Sequence, residues 1–251
     1  FLKIQPSTTK KVATTTKMGT SAVANVMNVS SLIVGQYYMS EVNSKLGDIN
    51  KSISEISDYQ KREFKSRVRS LVMNVRDISK FSKEIFEDDT IRNNKLIHLQ
   101  QLQEQTTQLL EQVNLEIEEN IRRKTNNKYE EYSTIVNDFE NLIFFQNTLL
   151  GVLWQIGKLI FVFGNGKLSQ NNSFSLFYIY EEQALKIKNE LKEWQYNQIE
   201  KHAIDVNTNK RKKQGVEAVF TKVTGFINND WRYSKLDEAL INKVKNQIAM
   251  I

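Results

Sequence analysis

Catalytic and metal sites need nucleophiles, proton carriers or ligand clusters, and this chain is poor in all three. It has two histidines, His98 and His202, and no cysteine. A helical di-metal site places a carboxylate three residues before its histidine, but those places hold Lys95 and Ile199. A zinc-protease helix needs two histidines four residues apart, which this pair does not supply. The lack of cysteine excludes a disulfide scaffold, a thiol nucleophile and every thiolate-ligated metal. It fits a reducing cytoplasm and a bacterial exterior alike. No Gly-x-Ser-x-Gly elbow accompanies the histidines to complete a Ser-His-acid triad. Both are expected to be ordinary helix residues.

Two further patterns invite a chemical reading. Phe163-Gly164-Asn165-Gly166-Lys167-Leu168 contains the Gly-Lys of a phosphate loop. The full pattern requires a glycine where Phe161 stands and a Ser or Thr where Leu168 stands, so a helix-stop loop is expected instead. Glu116, Glu118, Glu119 and the pair Glu130-Glu131 are carboxylates near Arg122, Arg123 and Lys124, a spacing that suits a solvated helix face better than acid–base work. No catalytic, cofactor or metal site is expected. Two basic runs remain. Residues 1–40 hold Lys3, Lys10, Lys11 and Lys17 with no acid before Glu41, and Lys210-Arg211-Lys212-Lys213 forms a second knot. A solvated tail and a solvated helix turn explain them; attraction to an anionic membrane surface is the sharper alternative. No nucleic-acid partner is expected, because no recognised fold or aromatic platform accompanies the charge. No small-molecule substrate is expected either.

The elements that must carry these residues are helices. The chain has one proline, Pro6, and nine glycines, so the punctuation that strands and tight hairpins need is missing. The fold expected is all-α: an elongated bundle of four to six helices, several long and coiled-coil-like, with no sheet. Residues 1–17 read as an extended, basic, Thr- and Ser-rich tail, and 18–251 as one bundle domain. The chain opens on Phe1, so an unseen upstream segment is expected. The expected location is the cytoplasm or the periphery of a membrane, with secretion left open.

Along the chain, Leu46, Ile49, Ile53 and Ile56 make a seam that resumes at Phe64, Val68, Leu71, Val75, Ile78 and Ile85 after a slip near Tyr59. Uninterrupted, that helix would be roughly 70 Å long. Glu87-Asp88-Asp89-Thr90 predicts a break and an N-cap. A second long helix carries Leu99 to Ile117, and a third runs from Tyr129 through Phe163. Gly164 to Ser173 is expected as a polar loop before a fourth helix. Val216 to Val223 restores periodicity, and Leu236, Leu240, Val244 and Ile248 predict a short terminal helix.

Two segments stand out as places where function could reside. Met18–Ser40 has no charged residue, with Met18, Val26, Ile33 and Tyr37 at helical spacing. Leu142–Phe163 is apolar except for a few polar residues and one charge, Lys158. In lipid its large apolar residues contribute about −6 kcal/mol, while Lys158 costs about +3 and Gln146, Asn147 and Gln155 add more, so the sum is near zero. A fully buried central helix is the expectation, with Leu153 and Trp154 covered by other helices. Phe174 and Phe177 lie across the loop, so Trp154, Phe161, Phe174 and Phe177 are candidate membrane or partner contacts.

Long coiled helices, a mid-chain apolar hairpin over Leu142–Tyr180 and the weakly apolar Met18–Ser40 resemble the layout of helical pore-forming toxins of the cytolysin A and haemolysin BL type. The resemblance covers most of the chain and rests on architecture. It implies a non-enzymatic, toxin-like protein that assembles at a membrane; Gln155 and Lys158 depart from it by interrupting the hairpin. The reading preferred on the residues themselves is a non-enzymatic helical bundle that self-associates or binds a helical partner through helix faces.

Overall fold

A computed structural model describes residues 32–54, 62–123, 129–213 and 233–249. The basic tail with Lys10, Lys11 and Lys17, then Met18 and Val26, and also the stretch Val216 to Val223, lie outside the described residues. Helix covers 86% of what is described, and the all-α class holds. Seven helices occur among the described residues: α1 Leu32–Ser54, α2 Arg62–Lys80, α3 Ser82–Glu87, α4 Asp89–Arg122, α5 Tyr129–Phe163, α6 Gln170–Lys201 and α7 Glu238–Ala249. The expectation of no sheet needs one correction. Three short strands, β1 Ile204–Asp205, β2 Lys210–Lys212 and β3 Tyr233–Lys235, pair antiparallel in the order β1-β2-β3.

The contacts divide the chain into two compact units, residues 1–112 with 146–182, and residues 113–145 with 183–251. In the first unit, the interrupted seam is a helical hairpin. Lys65 Nζ donates to the carbonyl of Ser54 (3.4 Å), and Arg76 Nε donates to Asn43 Oδ1 (3.1 Å), so α1 and α2 run antiparallel. The slip in the apolar rhythm marks the change of element. Val42, Leu46 and Ile53 of α1 and Val68, Val72 and Val75 of α2 are fully buried. At about 1.5–3 kcal/mol for each such side chain, apolar burial contributes more to these helices than intrinsic propensity does.

The predicted cap before α4 is present. Asp88 accepts the backbone N–H groups of Thr90 (2.8 Å) and Ile91 (2.9 Å), satisfying two donors the helix start would otherwise orphan. Arg92 then donates to the carbonyl of Phe86 (3.0 Å) and pairs with Asp89. The α5 boundaries match the sequence reading, and Gly164 closes the helix by donating to Ile160 (2.8 Å). Asn165 and Gly166 follow with φ of 45° and 78°, the left-handed turn in which glycine costs nothing. The polar loop is shorter than expected. Ser169 Oγ accepts the N–H of Asn172 (3.2 Å), so α6 starts at Gln170.

In the second unit a polar chain crosses the core. Tyr132 Oη donates to Gln195 Oε1 (3.0 Å), Gln195 Nε2 donates to Gln247 Oε1, and Gln247 Nε2 donates to the carbonyl of Val136 (2.9 Å). All three side chains are buried, and the chain ties α5, α6 and α7 together in one register. Beside it, Lys243 reaches Glu140 (2.7 Å) and Asn137 (2.8 Å).

Candidate functional site

The apolar hairpin of the first unit folds in on itself. Trp154 on α5 packs against Phe174 (tilted) and Phe177 (edge to face) on α6, with ring centroids 4.5 and 4.8 Å away. Gly157 permits that approach: a Cβ there would meet Phe174 Cδ1 at 2.8 Å. Leu153, Trp154, Phe174 and Phe177 are buried, as the sequence predicts for Leu153 and Trp154, while Phe161 is half-buried. Lys158, the one charge of the apolar stretch, is 7% exposed and donates to Glu41 Oε1 on α1 at 3.0 Å. Its ammonium also lies 6.0 Å from the Trp154 ring centroid. Among the described residues one helix, Tyr129–Phe163, is long and apolar enough to cross a membrane, and 78% of its most apolar stretch is buried. Ile33 and Tyr37 fall in α1, but their side chains are not among those described.

The basic knot is the more altered of the two places. Lys210–Lys213 is expected on a helix turn, yet α6 ends at Lys201 and the knot forms β2 and the residue after it. His202 donates its N–H to Gln198 (2.9 Å), Ala203 takes φ of 49°, and the chain leaves the helix as β1. Asp205 then accepts the N–H groups of Asn207 (2.9 Å) and Thr208 (3.3 Å) and the Thr208 hydroxyl (2.7 Å), and turns the chain into β2. The Thr208 hydroxyl, then the Asn207 amide, hold the Asp205 carboxyl below its ordinary range.

Successive strand residues face opposite ways, so the pleat splits the knot. Arg211 turns to Tyr129, its guanidinium carbon 4.4 Å from the ring centroid, and Lys210 and Lys212 are exposed on the other side. Lys213 is half-buried. Behind Arg211 lies an aromatic cluster. His202 is buried with its ring 5.2 Å from Tyr132 and 6.2 Å from Tyr129, and Tyr132 is 5.8 Å from Trp194. Burial, then the Lys201 and Arg211 charges, push the His202 pKa down, and Glu130 opposes them. Burial raises Tyr132 strongly and Tyr129 less, Arg211 opposing the shift of Tyr129. These groups pack a core; the described residues hold no cluster of three or more metal-ligating side chains. His98 Nδ1 lies 3.4 Å from Gln101 Oε1 on an exposed face.

Sequence reasoning missed Lys235 and Tyr233. The register places Lys235 opposite Lys210 and Tyr233 opposite Lys212, all four exposed. No local signal joins them, because the pairing is between segments distant in the chain. No family model, curated protein or solved structure matches this chain.

Proposed function

We propose that this chain is a non-enzymatic helical-bundle protein that acts by binding, through exposed helix faces, to further copies of itself or to a helical partner. One stripe carries the reading. On α6, within the second unit, Leu185, Asn189, Glu193 and Tyr196 recur at helical spacing and are all exposed, Leu185 and Tyr196 each 51%. An exposed seam with large apolar ends and a polar middle suits coiled-coil-like docking, where apolar members supply affinity and polar ones fix register. On α4, within the first unit, Ile97 (56% exposed) begins a similar stripe with Gln101, Glu104 and Gln108.

Sedimentation velocity over a range of concentrations tests the reading, with Leu185→Gln and Tyr196→Ser in the same series. Self-association weakened by both substitutions, or a helical partner lost by both, supports it. A monomer that captures nothing, or association indifferent to both substitutions, overturns it. A membrane-active role of the pore-forming kind draws support from the span-capable helix α5. The inward packing of Trp154, Phe174 and Phe177 favours the first reading.

A further inference from the structure

The three-stranded sheet has two faces of opposite character, and among the described residues one of them packs on the core. Inward, β1 presents buried Ile204 and β2 presents Arg211 to Tyr129. Outward stand Lys210 and Lys212 of β2, Tyr233 and Lys235 of β3, and Asp205 of β1, all exposed. Lys210 lies directly opposite Lys235 and Lys212 directly opposite Tyr233. Lys210, Lys212 and Lys235 against the carboxylate of Asp205 make this set of side chains net positive, which draws an anionic surface toward the face. Asp205 lies opposite Lys210, and its carboxylate, held in the turn by Asn207 and Thr208, is the acidic member of the face.

We infer that this outward face docks on the anionic headgroup layer of a phospholipid bilayer. Three features select that occupant. The cationic side chains are lysines, compact point charges on long stems that meet scattered phosphates and carboxylates without the fixed fork geometry of arginine. Tyr233, 47% exposed beside them, pairs an apolar ring with a hydroxyl, the combination enriched at the level of lipid headgroups. A single-stranded nucleic acid needs successive aromatic platforms, and this face offers one. The site goes beyond the helix-face binding proposed above and does not require α5 to leave its core.

The test is co-sedimentation of the full chain with vesicles of phosphatidylcholine, with and without phosphatidylserine, near physiological salt. Binding is expected only where phosphatidylserine is present. Each Lys→Gln change at 210, 212 and 235 is expected to weaken it about fivefold, and the triple variant about a hundredfold. The triple Lys→Arg variant should retain binding, since the charge is kept. If circular dichroism shows the triple Gln variant unfolded, Lys212→Gln alone carries the test at its fivefold loss. Vesicle binding by the folded triple Gln variant equal to that of the parent overturns the inference, since another surface then carries it. So does a parent chain that ignores anionic vesicles, including one that instead binds a single-stranded oligonucleotide through the same lysines.

Discussion

Removing the carboxylate that faces Lys158 should cost more than removing Lys158 itself. The Lys158 ammonium is 7% exposed and 3.0 Å from Glu41 Oε1, while the Glu41 side chain is 34% exposed. Breaking a fully buried pair by deleting one partner costs about 3–5 kcal/mol, and breaking an exposed one about 0.2–1 kcal/mol. Glu41→Ala leaves the more buried charge without its carboxylate, so the expected cost lies between, at about 2 kcal/mol. Lys158→Met leaves the more exposed carboxylate, which can turn to water, and places an apolar chain of similar length beside Trp154. That change is expected to be neutral or stabilising by about 1 kcal/mol. Urea unfolding followed by far-ultraviolet circular dichroism reads both. With a slope of about 2 kcal/mol per molar, Glu41→Ala should lower the midpoint by about 1 M and Lys158→Met should leave it or raise it. Equal losses for the two variants would refute the reasoning, as would a Glu41→Ala midpoint indistinguishable from the parent.

Three other outcomes are expected. Gln195→Leu strands the hydroxyl of Tyr132 and the amide of Gln247 in the core of the second unit, at about 2–4 kcal/mol, measurable as a lowered thermal midpoint. Gly157→Ala drives a methyl against Phe174 Cδ1 at 2.8 Å and the Ser173 carbonyl at 3.1 Å, and should cost about 1–3 kcal/mol with altered Trp154 fluorescence. The His202 pKa is depressed in the fold from an ordinary 6.5, so below that pH the unfolded chain takes up a proton that the folded chain refuses. Stability should therefore be full above pH 6.5 and fall with acidification until the folded ring titrates. Urea midpoints for the parent and His202→Phe across that range check it, the variant losing this part of the slope.

Helix existence, type and most boundaries were legible along the chain because they depend on neighbours a turn or two away. The polar stop Gly164-Asn165-Gly166, the Asp88 cap and the periodicity of Leu240 and Val244 are local signals, and α5, the start of α4 and α7 appear where those signals place them. The all-round apolarity of Leu142–Phe163 likewise pointed to a buried helix. It did not say that Glu41 would neutralise Lys158, since that contact joins residues far apart in sequence. The interrupted seam from Leu46 to Ile85 was ambiguous for the same reason. A slip in heptad rhythm is common to a bent rod and a hairpin, and the approaches of Lys65 to Ser54 and of Arg76 to Asn43 decide between them. The basic knot was least legible of all. Lys210-Arg211-Lys212 has no strand propensity of its own, and its strand state comes from hydrogen bonds to β1 and to the distant β3. Pairing across the chain, rather than composition, decides that Arg211 packs on Tyr129 while Lys210, Lys212, Tyr233 and Lys235 share one open face.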